Sequence, residues 1–354
     1  MSTALLQWIL LLFCLPIHAK DLAKQYSVTP SNWPKVETAD QRKVPPLTPL
    51  TLLKAAPSKD ATALGSRLFH DPILSLDKTV SCATCHDANQ TFADGLGQAI
   101  GIDKQQGRRN TPAIFGLDHW ETFFWDGRAK TAEQQALMPI EDPKEMGLPL
   151  KQAIARLNAH ADYPKQFKQI YGQETITTET LAKALVAFER SIPAPQTLFT
   201  QFINTAFKNP EQAVALLSPQ QLQGLHVFRT KGKCMTCHNG ALMSDNQFHV
   251  TGFHYYGREL EDIGRYKVTK KAEDSGAFRT PSLIGMSQTA PWMHDGLQVS
   301  LEGLVLQYNA GGPRPRPRKE FVNDPLFPKT TDLLLKLGLN QQEREALMEF
   351  LRIL

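Results

Sequence analysis

Four of the five cysteines in the 354-residue chain lie in two copies of the pattern Cys-x-x-Cys-His. The first copy contains Cys82, Cys85 and His86, and the second contains Cys234, Cys237 and His238. In this pattern the two thiols form thioethers to the vinyl groups of a porphyrin, and the adjacent histidine is the axial ligand of the iron. The sequence therefore predicts two covalently bound c-type haems, each of them a redox centre.

Two other uses of these cysteines explain fewer residues. A redox disulfide would not require a histidine in the fifth position of both motifs, and no βαβ pattern surrounds either of them. A Cys₄ zinc site would leave His86 and His238 without a role, and its two cysteine pairs would be much further apart in sequence than zinc ligands ordinarily are. Two haems account for all six residues.

The composition is that of an ordinary soluble globular protein, with 42% hydrophobic and 21% charged residues. The length leaves room for two domains of the usual size, one for each haem. The net charge of +4 is too small to indicate nucleic acid as a partner by itself.

Residues 1–19 are predicted to be a secretory signal peptide, although a positive n-region is missing: an apolar stretch ends near Pro16, and Ala19 precedes the expected cleavage site. A membrane anchor is the alternative, but the stretch from Leu5 to Ile17 is shorter than the roughly 20 residues that span a bilayer. Cys14 could carry a lipid, but Phe13 before it is bulkier than lipoprotein signals place there. We therefore expect cleavage and export to the periplasm, since c-type haem is attached outside the cytoplasm.

The remaining chain divides into an arm and two domains. Residues 20–57 are rich in proline and predict an extended arm with little regular structure of its own. The segment Pro193-Ala194-Pro195 is the preferred boundary between a first domain, residues 58–195, and a second, residues 196–354. Each domain places a helix before its Cys-x-x-Cys-His motif, as an internal duplication would.

Helical periodicity dominates both domains, and no stretch alternates as a β-strand does. Helices are predicted from Ser58 onward and over residues 131–137, 150–158, 163–171, 178–192, 218–228, 301–308 and 341–354. The fold class predicted is mainly α, with long loops that position the ligands.

With these residues laid out, the chain resembles the bacterial di-haem cytochrome c peroxidase superfamily, and within it the MauG-like branch. Beside the two haem motifs, the resemblance rests on residues 109–112 (Arg-Asn-Thr-Pro), 124–129 (Phe-Trp-Asp-Gly-Arg-Ala), 143–147 (Pro-Lys-Glu-Met-Gly), 278–283 (Phe-Arg-Thr-Pro-Ser-Leu) and 294–296 (His-Asp-Gly). It covers most of the chain from Leu64 to the C-terminal helix. It implies two cytochrome c-like domains, with the peroxidatic haem in the first and the electron-transfer haem in the second, whose C-terminal tail could pack on the first.

The resemblance implies an unusual second haem. Peroxidases of the superfamily supply a methionine as the sixth iron ligand at a fixed distance after the His-Asp-Gly histidine, whereas MauG-like proteins have a tyrosine there. Counting from His294, that position is Tyr308. A phenolate favours Fe(III) and higher oxidation states, while a thioether favours Fe(II). Met293 and Met286 are the alternative ligands.

For the first haem the resemblance implies an open iron. Relatives that need reductive activation carry a blocking histidine on the loop before the Asn110 position, and Ile102 stands at that place here. The iron on His86 is therefore expected to be five-coordinate or weakly water-bound. His70 and His119 could still fold over it, although His70 is more in keeping with a supporting position.

The expected catalytic residues also follow from the resemblance. Glu145 occupies the position of the distal acid–base group that moves a proton between the two peroxide oxygens, and Gln135 and Pro139 match residues of the same pocket. Trp125 corresponds to a tryptophan between the haems, which can relay oxidising equivalents by one-electron oxidation; a large core aromatic is the plainer interpretation.

A calcium site between the haems is a further implication. Asn110, Thr289 and Pro291 match its positions, and side-chain and main-chain oxygens suit a hard cation. The basic segment of residues 313–319, Pro-Arg-Pro-Arg-Pro-Arg-Lys, has no counterpart in the resemblance. Alternate prolines favour an extended shape that displays the arginines, which could steer an acidic redox partner or form a solvated loop.

The function expected is that of an exported di-haem peroxidase-like oxidoreductase. It would reduce hydrogen peroxide at the open haem and draw electrons through the second haem from a small cytochrome, a cupredoxin or a protein substrate. No nucleic acid is expected as a partner, and the resemblance allows a homodimer. The alternative is a non-catalytic di-haem electron-transfer cytochrome with both irons six-coordinate.

Overall fold

The computed structural model describes residues 16–354, which are mainly helical, as the sequence predicts. Most of the predicted signal peptide, including Cys14, therefore lies outside the described residues. The helices are α1 Pro16–Tyr26, α2 Lys59–His70, α3 Cys82–Cys85, α4 Ala132–Glu141, α5 Leu150–Asn158, α6 Tyr163–Tyr171, α7 Thr178–Ser191, α8 Leu198–Ala206, α9 Pro210–Ala215, α10 Pro219–Arg229, α11 Tyr266–Thr269, α12 Leu301–Asn309 and α13 Gln341–Leu351. Within the described range, none of them is both long and apolar enough to span a membrane.

The β-structure is minimal. Strands β1 Phe248–His249 and β2 Phe278–Arg279 pair antiparallel, with Phe248 opposite Arg279. Most of the remaining chain is loop, and a long loop follows each of the two haem motifs. Because the predicted motifs lie mainly in these loops, their positions depend on tertiary contacts rather than on helix geometry.

Each predicted helix is present, and α5 and α6 have the predicted bounds. Helices α8 and α9 were not among the predictions. Helix α8 has several β-branched and aromatic residues, which are weak helix formers, but a capping box stabilises its start: Thr197 Oγ1 accepts from the main-chain N–H of Thr200, whose hydroxyl oxygen accepts from the N–H of Thr197.

The first core lies between helices α2, α4, α5, α6 and α7. Its fully buried side chains include Leu68, Ile140, Leu157, Phe167 and Leu185. Within a helix the buried residues lie one turn apart, as Leu64 and Leu68 do in α2, so the helix buries one apolar face. The first haem motif begins between α2 and α4 and is positioned by this core.

The second core is formed around α8, α10 and α13. Phe199, Phe228 and Phe350 are buried there, with the rings of Phe228 and Phe350 5.3 Å apart. The C-terminal tail belongs to this core, because Phe199 N donates to Ile353 O at 3.0 Å. The tail thus packs in the second core, and its packing on the first domain stays a prediction.

Each core contains a close helix crossing at a glycine. Gly65 of α2 lies against Ala184 and Phe188 of α7, and Gly224 of α10 lies against Ala346 and Phe350 of α13. A Cβ built on either glycine would come within 2.0 Å of the alanine carbonyl oxygen, so both helix pairs require glycine at the crossing. This shared arrangement supports the internal duplication.

The N-terminal arm differs from its prediction as an extended segment. Helix α1 continues to Tyr26, and a 3₁₀ turn follows at Pro30–Asn32. Tyr26 is fully buried, and its hydroxyl accepts from Arg229 Nη1 at 3.0 Å, while Trp33 stacks on Phe202. The first part of the arm is helical because it contributes apolar side chains to the second core. The proline content of the arm did not indicate this contribution.

Candidate active site

Both haem motifs face one continuous cavity of about 940 Å³ between the two cores. The cavity is lined by residues of both motifs and by most of the predicted site residues, namely Cys85, His86, Asn110, Trp125, Gln135, Glu145, Cys234, Cys237, His238, Thr289, Pro291 and Tyr308. Residues that are far apart in sequence are thus brought together around one space.

The first motif forms the short helix α3, capped by Ser81 and Thr84. His86 Nδ1 lies 2.8 Å from the main-chain oxygen of Phe92. Because a carbonyl oxygen can only accept, Nδ1 carries the proton and Nε2 keeps a free lone pair for a metal. Burial lowers the pKa of His86, which also favours the neutral, ligating form.

The second motif has the same arrangement. Cys234–Thr236 forms a 3₁₀ turn, and His238 Nδ1 lies 3.0 Å from the main-chain oxygen of Met243. The thiols of both motifs are free, so neither motif forms a disulfide within residues 16–354. Two unpaired thiols beside a histidine with an available Nε2, found twice on one cavity, fit haem attachment.

Tyr308 lies on α12 and reaches the part of the cavity that contains the second motif. Burial raises the pKa of its hydroxyl, and the neighbouring Cys237 and Cys234 raise it further. Met286 and Met293 line the same cavity. The structure thus brings Tyr308 to the second motif, while its role as the sixth ligand stays a prediction.

Glu145 lies on the loop after α4, and the main chain of this loop packs closely against Gly101 and Ile102. Its carbonyl oxygen accepts from Ile102 N at 2.9 Å, and a Cβ on Gly101 would come within 2.6 Å of that same oxygen. Burial raises the pKa of Glu145 to about 7, Asp142 adds to the shift, and Arg128 opposes it. A carboxyl group that titrates near neutrality can both accept and donate a proton.

The other residues expected near the first haem are placed as follows. Gln135 and Pro139 line the cavity with Glu145. Ile102 is 4% exposed and does not line the cavity. His70 bonds to Ser66 O and His119 to Thr51 O, and neither lines the cavity. Within residues 58–195, all of which the structure describes, His86 is the one histidine that lines the cavity.

Trp125 is held between the two halves of the chain. Its Nε1 donates to Asn110 O at 2.9 Å, and its own carbonyl oxygen accepts from Arg279 N at 2.8 Å. The indole meets His294 edge-on, with ring centroids 6.3 Å apart, and His294 stacks on Phe278. Trp125 therefore contacts both halves of the chain, and its role as a relay stays a prediction.

A buried ion-pair network fixes this region, and sequence reasoning missed it. Arg109 donates to Asp126 at 2.7 Å and to the two carboxylate oxygens of Asp262 at 2.7 and 3.0 Å. Although burial alone would raise the pKa values of both aspartates, the facing arginines hold them below their usual range. Arg109 and Asp126 lie in the quoted motifs, but only the fold reveals that Asp262 completes the set.

Three further groups on the cavity, two of them buried, were not singled out from the sequence. Arg279 is 8% exposed, lies over the Trp120 ring at 3.7 Å and leaves its Nη1 without a partner in the described part of the chain. Glu189 is 5% exposed, and burial raises its pKa to about 7. The ring of His249 pairs with Asp245 at 2.9 Å.

Asp245 and His249 also lie near Cys237, and the three ligand atoms are within 4.8 Å of one another. They form a possible metal set by distance. However, Cys237 belongs to the second haem motif, and a thioether sulfur is a much poorer ligand than a thiolate. Burial disfavours the charged form of His249, but the contacts with Asp245 and Cys237 outweigh it and raise its pKa to about 10.

The predicted calcium residues line the same cavity. Asn110 uses its side-chain amide to donate to Leu96 O at 2.8 Å and its main-chain N–H to donate to His294 O at 2.8 Å. Asn110 therefore links the loop before the RNTP motif to the His-Asp-Gly motif. Calcium binding itself stays a prediction.

The mainly helical fold with two cores, and two Cys-x-x-Cys-His motifs facing one cavity, define a haem oxidoreductase. Residues 59–207 match the family of di-haem cytochrome c peroxidases. The chain is 32% identical over 321 residues to the methylamine utilization protein MauG of Methylorubrum extorquens. This alignment covers 90% of this chain and 82% of that relative. It is also 33% identical over 296 residues to the cytochrome c peroxidase Ccp of Escherichia coli, covering 81% of this chain and 61% of that relative.

A solved structure of a MauG-like protein associated with microbial copper homeostasis is also similar, with a TM-score of 0.71 and 28% identity over 88% of this chain and 93% of that chain. The chain belongs to the di-haem cytochrome c peroxidase family, in its MauG-like branch. It is accordingly a haem oxidoreductase, and the resemblance expected from the motifs is confirmed.

Proposed function

We propose that this protein is an exported, periplasmic enzyme that reduces hydrogen peroxide at an iron held by His86 and receives electrons through a second iron held by His238 and Tyr308. When bound, the two haems would supply the redox centres and the iron that takes up peroxide. Residues 58–195 would carry the first haem and residues 196–354 the second. The overall reaction combines hydrogen peroxide with two electrons and two protons to form two water molecules.

Glu145 is the proton-transfer residue in this proposal. A carboxyl group with a pKa of about 7 is partly ionised at neutral pH, so it can take a proton from the inner peroxide oxygen and return it to the outer one. Gln135 lies on the same cavity and can hold the substrate by hydrogen bonds through its amide.

Trp125 would carry oxidising equivalents between the two halves. This role is supported by two hydrogen bonds: the indole Nε1 donates to Asn110 O, and the main-chain oxygen of Trp125 accepts from Arg279 N. A calcium ion near Asn110, Thr289 and Pro291 would further stabilise the region between the haems. The electrons would come from a small cytochrome or cupredoxin, or from a protein substrate.

The observation that carries the proposal is that Glu145 shares the cavity with His86, while the described residues place no second histidine from the first domain there. The test is the EPR spectrum of the ferric protein before and after peroxide. One high-spin and one low-spin signal, with loss of the high-spin signal on peroxide addition, is the expected result. Two low-spin signals that do not respond to peroxide would identify a non-catalytic electron carrier instead.

A further inference from the structure

Residues 313–336, here named the basic loop, carry a concentration of positive charge outside the site described above. The loop contains six basic residues, Arg314, Arg316, Arg318, Lys319, Lys329 and Lys336, and three acidic ones, Glu320, Asp324 and Asp332. All six basic side chains are exposed. Alternating prolines at its start restrict the backbone to extended conformations, so the arginines are displayed with little loss of backbone entropy on binding.

The basic loop is closed on itself and bonded to the body of the protein. Within the loop, Thr330 Oγ1 donates to Pro313 O at 2.7 Å and Arg314 Nη2 donates to Leu334 O at 2.8 Å, and Thr331 N donates to Val250 O of the body at 2.9 Å. Gly252 has a φ of +92°, and a Cβ there would lie 2.2 Å from Pro313 O. The start of the loop thus packs closely against the second half of the chain and has a defined position.

The positive charge of the loop is not neutralised within the protein. Across residues 16–354, none of the six basic side chains forms an ion pair, although Lys231, elsewhere in the second half, pairs with Glu343 at 2.7 Å. One of the acidic residues is engaged in the fold, because Asp324 accepts a hydrogen bond from the Tyr256 hydroxyl at 2.6 Å. The surface therefore has an excess of unpaired positive charge.

The same loop forms the edge of the cavity near the second motif. Leu333, Leu334 and Leu335 line the cavity with Tyr308, and Leu337 N donates to Asn309 O at 3.0 Å. Leu335 is also 40% exposed. Leu335 therefore gives the loop an apolar side chain that both lines the cavity and reaches solvent.

We propose that the basic loop is the docking surface for an acidic redox protein that exchanges electrons with the second haem. This inference rests on the proposed function, since it requires a haem on His238. The unpaired charges attract an acidic surface over a distance of about 10 Å at moderate salt, and Leu335 offers an exposed apolar contact at the edge of the cavity. In each encounter the partner loses one electron and the second haem gains it.

The test compares two charge-reversal variants of the holoprotein. One changes Arg316, Arg318 and Lys319 to glutamate, and the matched control changes the exposed, unpaired Lys59, Lys151 and Lys165 of the first half to glutamate. Both variants have the same net charge. The measurement is the second-order rate constant for reduction of the oxidised protein by a reduced acidic cupredoxin, followed by stopped-flow absorbance.

The wild-type rate constant is expected to fall at least about tenfold between low and high ionic strength. The basic-loop variant should lose about tenfold or more at low salt and show a flat salt dependence, whereas the control variant should stay within about threefold of the wild type. Equal rate constants for the two variants, or faster reduction by a basic cytochrome c than by the acidic cupredoxin, would overturn the proposal.

A neutral reductant, hydroquinone, separates this proposal from the proposed function. It should reduce the second haem of the wild type and of both variants at equal rates, because it needs no charged docking surface. If the second haem is absent or cannot be reduced by any donor, the proposed function fails. If hydroquinone reduces it normally and the acidic donor shows no salt dependence, only the docking surface is wrong.

Discussion

Arg109 in the first half of the chain and Asp262 in the second are joined by two hydrogen bonds of 2.7 and 3.0 Å. Arg109 also bonds Asp126, next to the candidate relay residue Trp125. One buried guanidinium therefore sets how the two halves meet around the cavity. Its fork geometry matches the carboxylate of Asp262 in a way that a lysine could not.

Replacing Arg109 by methionine should cost about 3–5 kcal/mol of unfolding free energy, because two buried aspartates lose their shortest ion pair and keep only Arg128 and Lys267. The measurement is urea unfolding of the holoprotein. The control, Lys168→Met, breaks the exposed pair with Glu174 and should cost less than about 1 kcal/mol. Similar costs for the two variants would contradict a structural role for the network.

The same network predicts loss of stability in acid. The pKa values of Asp126 and Asp262 are depressed in the folded state, so their contribution is complete above the unfolded value of about 4 and declines as the pH falls towards the folded values. Unfolding free energies measured between about pH 5 and 2 should decrease more for the wild type than for a protein with both residues changed to asparagine.

Glu145→Gln should lower kcat/KM for peroxide by about 10²- to 10⁴-fold, because an amide cannot transfer the proton. The wild-type rate should rise with pH through about 7, where Glu145 ionises. Asp142→Asn is the informative companion: removing its negative charge should move this rise to lower pH and leave the rate at high pH intact. If the pH profile of Asp142→Asn is the same as that of the wild type, the group that titrates near pH 7 is not Glu145.

Tyr308→Phe should change the low-spin haem spectrum and raise the reduction potential of the second haem, because a phenolate that favours Fe(III) is lost. Spectroelectrochemistry of the variant gives both quantities. Met286→Leu and Met293→Leu test the alternative ligands and should leave the spectrum unchanged. If one of the methionine variants changes it and Tyr308→Phe does not, the tyrosine assignment is wrong.

Trp125→Phe should slow electron exchange between the haems, since phenylalanine is much harder to oxidise and loses the hydrogen bond to Asn110 O. Trp120→Phe is a close control, because its Nε1 also donates to a main-chain oxygen, that of Phe115 at 3.2 Å. Transient absorption after photoreduction measures the exchange rate. An equal effect of both substitutions would indicate packing rather than a relay.

Gly65→Ala and Gly224→Ala should each destabilise the protein by about 1–3 kcal/mol, because the added methyl group collides with a carbonyl oxygen of the facing helix. Gly303 in α12 has only the flexible Ser300 side chain near its Cβ position, at 3.4 Å or more. Gly303→Ala should therefore be neutral or stabilising by up to about 1 kcal/mol. Thermal unfolding of the three variants measures the difference.

The prediction of the helices succeeded where local information is sufficient. Helices α5 and α6 have the predicted bounds because their apolar residues recur at helical spacing. Helix α1 was missed because the buried positions of Tyr26 and Trp33 depend on α10 and on Phe202, which are distant in sequence. Similarly, nothing local indicates that the C-terminal tail bonds to Phe199.

The sequence by itself determined the chemistry available to this protein, since two Cys-x-x-Cys-His motifs specify covalent haem attachment through bonds between near neighbours. The family-type positions of Glu145, Trp125 and Tyr308 were also readable from the sequence. Only the tertiary structure decided that these residues share one cavity, that Asp262 completes the pairing of Arg109, and that leucines of the basic loop line the same cavity. These are contacts between distant segments, and packing of the two cores, rather than any local pattern, sets their distances.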